Sequence, residues 1–380
     1  MQAEIAKVQA SGEYKQAWEG GVQLSPGAQE ENDVETESSA SEGPGDWATI
    51  EAPLTPESIL ETSTVQLDTL TKLLGLYVPA TDLSSIEKRA QDGLDTATTK
   101  VPALIELIDQ LPARQAVDEP KAGPTLSIGS TSATEEASTT PRDDAILAVA
   151  NFHASIAEVQ YRSGRTTSTE YAAAVERTFS GLMQDAAKYP TPELASVNIQ
   201  SAYADALMDL ASALADGTQY APSSPTFAAD IEIQWTALTQ TQTLLTQLSS
   251  VPYTSILSAS RLADVFIARG DTDLFRFRIS LFEGAKPAWV KSKPTLVANA
   301  GVFYRGGRTY AEKAGVAAIR NTADAKAIVA EILKEVASGS GLVKDTWKGR
   351  NADVAKVLEQ MVEEGIVGRE NVEGVLQMTK

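Results

Sequence analysis

A chain of 380 residues with 43% hydrophobic content has room for two or three ordinary domains or one elongated helical array, and is too apolar to be wholly disordered. Its formal net charge of -19 repels nucleic-acid and membrane phosphates and suits basic protein segments or plain solubility. The lack of Cys excludes disulfides, thiolate nucleophiles and zinc–thiolate sites, and the single His153 excludes a multi-His metal site.

The N-terminal MQAEIAKVQA has neither the basic start nor the apolar centre of a signal peptide. No apolar run approaches the ~20 residues that a membrane span needs. A cytoplasmic or nuclear location is expected.

In chain order, residues 1–24 read as a helix pair, with Ala3, Ile5 and Val8 on one face, a break at Gly12–Tyr14, and Ala17 and Trp18 in the second helix. Stretch 25–48 is crowded with Glu, Asp, Ser, Gly and Pro, so charge repulsion and scarce apolar surface predict a disordered acidic loop. A strong helix is expected over 54–78, capped by Thr55 and opened by Pro56, with Leu60, Leu67, Leu70 and Leu74 in a wide apolar stripe. Helical spacing continues over 83–111, where Pro102 breaks the segment or starts its second helix. Residues 112–142, rich in Pro, Ser and Thr, read as a flexible linker.

The densest helical part follows. A helix over 143–164 opens with Thr140 or Asp143 as cap and ends at Gly164. Its partner covers 170–190, after a turn holding an inserted Thr-Thr-Ser-Thr run. Further helices are expected over 192–217, started by Thr191 and Pro192, and over 226–249. In 262–279, Leu262, Ala263 and Phe266 share one helix face, and Gly270–Asp271 are expected to break the chain and start a second helix. The 289–315 stretch repeats that theme with Ala300, Gly301 and Tyr304, a glycine turn, then Tyr310 and Ala314. Shorter helices are expected near 322–337, 351–365 and 369–378, with a flexible Gly-Ser-Gly link at 339–341.

These units of small residue, aromatic and glycine turn, together with the GEYKQA run at Gly12–Ala17, resemble the tetratricopeptide (TPR) repeat. The likeness is densest at 253–315 and extends to 1–24 and 143–217. It implies an all-α, TPR-like α-solenoid of antiparallel helix pairs, interrupted by disordered acidic and polar insertions, with a concave groove for a peptide or partner helix. The implied layout is N-terminal repeat-like helices over 1–111, the linker 112–142, the main repeat region 143–320 and capping helices over 321–380. Proteins of this kind act as adaptors, co-chaperones or assembly chaperones.

Candidate binding residues come from a locally basic segment in this acidic chain. Arg276, Arg278, Lys291, Lys293, Arg305 and Arg308 lie close in sequence, and Asn299 and Arg305 fit part of the Lys/Asn/Lys/Arg set with which some TPR proteins hold a carboxylate. His153, among Phe152, Ile156 and Ala157, reads as a packed residue, since no nucleophile and acid are marked beside it. GSGLVKDT at 339–346 lacks the glycine spacing and ending of a phosphate loop. No cofactor or metal is expected. The combined reading is a non-catalytic protein-binding scaffold, with the acidic loops or groove taking a basic client. A structural subunit of a larger complex is the alternative, and an enzyme is the weakest of the three.

Overall fold

The computed structural model describes residues 56–75, 101–103, 106, 140–188, 192–216, 224–251, 257–338 and 351–369. The expected helix pair at 1–24, the acidic loop 25–48, most of 83–111 and of the linker, the 339–341 link and the final short helix lie outside the described residues. Among the described residues the fold is all-α, without a strand. Its helices are α1 (Pro56–Gly75), α2 (Pro141–Arg162), α3 (Ser168–Asp185), α4 (Pro192–Asp216), α5 (Phe227–Ser250), α6 (Ala259–Ser280), α7 (Pro287–Ala314), α8 (Ala317–Ser338) and α9 (Asn351–Glu363). A short 3-10 turn, Ala186–Lys188, follows α3. None of these helices is long and apolar enough to cross a membrane.

Local chemistry sets the boundaries. Thr140 caps α2 by accepting from the Asp143 amide at 3.2 Å, with Pro141 in the first turn and Asp143 and Asp144 at the positive end of the helix dipole. The Thr-Thr-Ser-Thr run is part of a start signal. Thr167 accepts from the Glu170 amide at 3.2 Å and donates its own amide to the Glu170 carboxylate at 2.8 Å, a full capping box. Gly315 ends α7 at φ 71°, and its N–H reaches the carbonyls of Ala311 and Glu312.

Each helix packs on its neighbour in the chain, and α2 also meets α4, α3 meets α5, and α6 meets α8. Contacts run in opposite chain order between α6 and α7, where Ala263 and Ile267 meet Gly307 while Gly270 meets Tyr304, so these two helices are antiparallel. One apolar core unites α4 to α9 around Phe275, Leu296, Val297, Tyr304, Leu333 and Leu358. A second unites α2 to α6 around Val175, Phe179, Leu207, Leu210 and Leu248, and a third joins α1 to α2 through Leu60, Leu67 and Phe152. Full burial of each such Leu or Phe contributes about 1.5–3 kcal/mol before conformational entropy is subtracted.

Two expected turns are absent. Gly270–Asp271 lies inside the unbroken α6, and Gly306–Gly307 lies inside the unbroken α7. These glycines serve close approach. A Cβ on Gly270 would stand 2.3 Å from Tyr304 Cε1, and one on Gly307 would stand 2.9 Å from Ile267 Cγ1. The helix backbones therefore sit nearer than any side chain permits. Ala263 is fully buried and Phe266 stacks on Tyr310 at 5.4 Å, so the small-plus-aromatic pattern packs as expected, across two whole helices. The helix pair is also long. α6 and α7 hold 22 and 28 residues, against about 34 for an entire TPR unit.

A buried polar knot fastens α6, α7 and α8. Lys326 donates to both oxygens of Asp271 at 2.9 and 2.7 Å, and the Tyr304 hydroxyl donates to Asp271 Oδ1 at 2.8 Å. The chain beyond α9 then turns back. Ser212 of α4 donates to the Glu364 carbonyl at 2.7 Å, Arg278 of α6 donates to the Gly365 carbonyl, and Gly365, at φ 74°, rests against Ala215 and Phe275.

Candidate functional site, a carboxylate-lined cleft

The basic segment does not assemble as one groove. Arg278 is engaged at the Gly365 carbonyl, on the tail side of α6. Arg308 pairs with Glu312 and Asp324, both at 3.0 Å, on an exposed face of α7 and α8. Lys291 and Arg305 are exposed along α7, and Lys293 is partly covered. A helix turns about 100° per residue, so neighbours in sequence point different ways. Only Arg276 and Asn299 come together, and they meet at Asp273.

That meeting point belongs to a ladder of cations and rings along α6. Lys286 pairs with Glu232 and lies 5.1 Å from the Trp289 ring. Trp289 stacks on Trp235 at 4.5 Å, and the Arg276 guanidinium covers Trp235 at 4.6 Å. Arg276 also holds Asp273 at 3.4 Å. One turn back, Arg269 covers Phe303 at 4.0 Å. The Phe266–Tyr310 stack follows, topped by Lys313 at 4.7 Å. Asp273 is 1% exposed, and burial raises its pKa to about 6 against the pull of Arg276 and Arg269. Each of these cations rests on a ring or a carboxylate, so the ladder spends its charge inside the molecule.

The opposite situation occurs across α2, α4 and α6. α4 carries Glu193, Asp205, Asp209 and Asp216 and no basic residue. Asp205 and Asp209 stand one turn apart, so they share a face. Glu158 of α2 adds its charge beside Asp209, and Asp264 of α6 adds its charge beside Asp205. The three aspartates keep solvent contact, yet the surrounding protein crowds them. That crowding raises Asp205 to about 6, with Asp264 adding to the rise. It raises Asp209 to about 7, helped by Glu158 and Asp205 and opposed by Arg162. Asp264 is also raised, through crowding alone. Arg162 directs its hydrogen bond to Glu158 at 2.7 Å and its second contact to Asp216 at 3.6 Å. Arg261, one turn before Asp264, bonds Asn198 Oδ1 at 2.8 Å instead. Among the described residues no hydrogen bond or ion pair reaches Asp205, Asp209 or Asp264.

At the α6 end of this track a cavity of about 270 Å³ opens between α4, α5 and α6. Val197, Leu248, Leu257, Val265 and Ala268 make its walls apolar, while Ser201, Asp205, Arg261 and Asp264 supply its polar atoms. Ser201 shares the lining with the carboxylates of Asp205 and Asp264, and no His or Lys lines the cavity. Among the described residues no group of three or more His, Asp or Glu is placed to hold a metal ion. His153 is half-buried on α2, and burial lowers its pKa, which keeps the ring neutral at pH 7.

The track leaves little trace in the sequence, where its acids are a few among the chain's 51. The available signal was α4 itself, an Ala/Leu-rich helix whose charges are all negative, two of them at i and i+4. Asp264 carried no such signal, since only the packing of α6 beside α4 brings it to Asp205. Comparison with family models, curated proteins and solved structures found no match for this chain.

Proposed function

We propose that this protein is a non-catalytic helical scaffold that binds a basic segment of another polypeptide, as an adaptor or assembly chaperone. The observation that carries the reading is the set Asp205, Asp209 and Asp264 on α4 and α6, which no hydrogen bond or ion pair reaches among the described residues. Burial first and neighbouring carboxylates second make the charged forms of Asp205 and Asp209 costly, and their raised proton affinities express that cost. A lysine or arginine from outside relieves it as a proton would. The net charge of -19 adds a long-range field that attracts the same partners.

Helix pairing supports placing the surface within a TPR-like array. α2, α4 and α6 alternate with α3 and α5, and α4 bonds across directly to its even-numbered neighbours through Arg162–Asp216 and Asn198–Arg261. Alternate helices lining one face form the binding surface of helical-repeat proteins. The likeness rests on this pairing, since Gly270 and Gly306–Gly307 are interior to α6 and α7 and form no turn.

Fluorescence anisotropy with a labelled twelve-residue Lys/Arg-rich peptide tests the proposal. Binding is expected to weaken at least tenfold between 50 and about 300 mM salt, and again in the Glu158→Gln/Asp205→Asn/Asp209→Asn variant. Binding that ignores both changes, or no binding to the native protein, overturns it.

A further inference from the structure

We infer that the cavity between α4, α5 and α6 receives one lysine side chain of the client, with its stem on the apolar wall and its ammonium between Asp205 and Asp264. This rests on the basic-client reading and adds to it a position and a residue type.

The match is one of shape and of charge. A lysine is a flexible chain of four methylenes ending in a compact cation, and it favours sites where the stem is covered and the head is met by polar atoms. Leu248, Leu257 and Val265 offer the stem an apolar wall, and the volume of about 270 Å³ accommodates its five heavy atoms. Asp205 and Asp264 line the same cavity, and Asp264 lies close enough to raise the free energy of the Asp205 charge, so a single cation held there is attracted by both. Arg261 also lines the cavity, but its hydrogen bond goes to Asn198 Oδ1 and it forms no ion pair with either aspartate among the described residues. A planar guanidinium is a poorer occupant. It pairs best with one carboxylate side-on, and the cavity presents two carboxylates from different helices. An anionic side chain meets two negative charges, and a purely apolar one leaves both carboxylates facing it without a partner.

The test uses the full chain and four labelled peptides that share three fixed arginines and differ at one central position, which holds Lys, acetyl-lysine, Arg or Ala. The Lys peptide is expected to bind at least tenfold more tightly than the acetyl-lysine and Ala peptides, and several-fold more tightly than the Arg peptide. Asp205→Asn and Asp264→Asn should each reduce that preference. Ala268→Leu narrows the cavity without touching a charge, so it should erase the preference and leave the Ala peptide unaffected. Thermal melts confirm that each variant is folded. If Asp264→Asn, whose side chain needs no repacking, keeps the full preference, or if the four peptides bind alike, the cavity assignment is overturned while binding of basic segments to the track stands. If none of the peptides binds, both readings fall.

Discussion

The ladder on α6 and the track across α2, α4 and α6 are built from the same charged residue types with opposite bookkeeping. In the ladder, Arg269, Asp273 and Arg276 recur at one-turn spacing and every cation is answered by a ring or an acid. In the track, Asp205, Asp209 and Asp264 are brought side by side and left without a bonded cation. α6 contributes to both. Charge matched within the molecule fixes how helices pack, whereas charge left unmatched on a surface is available to something else. A count of acids and bases along the chain cannot separate the two.

Four experiments sharpen that contrast. The largest effect is expected where a matched charge loses its partner. Lys326→Met leaves Asp271 buried without its cation and should cost about 3–5 kcal/mol in chemical denaturation. Next is a steric test of the helix spacing. Gly270→Ala places a methyl group 2.3 Å from the Tyr304 ring and should destabilise by about 1–3 kcal/mol. Gly181→Ala on α3, with nothing within 4 Å, should stabilise by about 0.5–1 kcal/mol, so opposite signs are expected from one chemical change. Tyr304→Phe removes one hydrogen bond but keeps the Lys326–Asp271 pair, and should cost about 1 kcal/mol.

The smallest effect belongs to the unmatched charges. Asp205 and Asp209 hold protons more tightly in the folded chain, at about 6 and about 7, than an ordinary aspartate does. Folding is therefore favoured at low pH, and the advantage is lost as pH rises from about 4 through 7. Both side chains reach solvent, so the Asp205→Asn/Asp209→Asn variant should gain only roughly 2 °C in melting temperature at pH 8. The gain should shrink at about pH 5 and vanish at about pH 3, below the ordinary aspartate range, which a series of thermal melts will check. A loss of stability at pH 8 would mean that the track is matched after all.

Much of the helical layout was legible in the chain. Pro56, Thr140 and Pro192 mark starts, and the 3.6-residue spacing of Leu, Val and Ala marks the buried faces. The misreadings fell on glycine. In sequence, Gly270 and the Gly306–Gly307 pair have the look of turns, and only the distance between α6 and α7 reveals what they permit. The basic segment misled for a related reason. Arg276 and Arg278 are two residues apart and face different neighbours, one a tryptophan and the other the returning tail. The cleft depends on residues more than fifty positions apart, such as Asp205 and Asp264, and pairing at that separation leaves no local trace.

The returning tail has a consequence for the order in which the molecule is finished. Ser212 waits 152 positions for the Glu364 carbonyl, and Arg278 waits 87 for that of Gly365. Synthesis proceeds from the N-terminus, so α4 and α6 exist as helices well before their clasp emerges from the ribosome. The clasp on Ser212 and Arg278 is therefore added after both helices are made, and a nascent chain stalled before residue 364 would lack those two bonds.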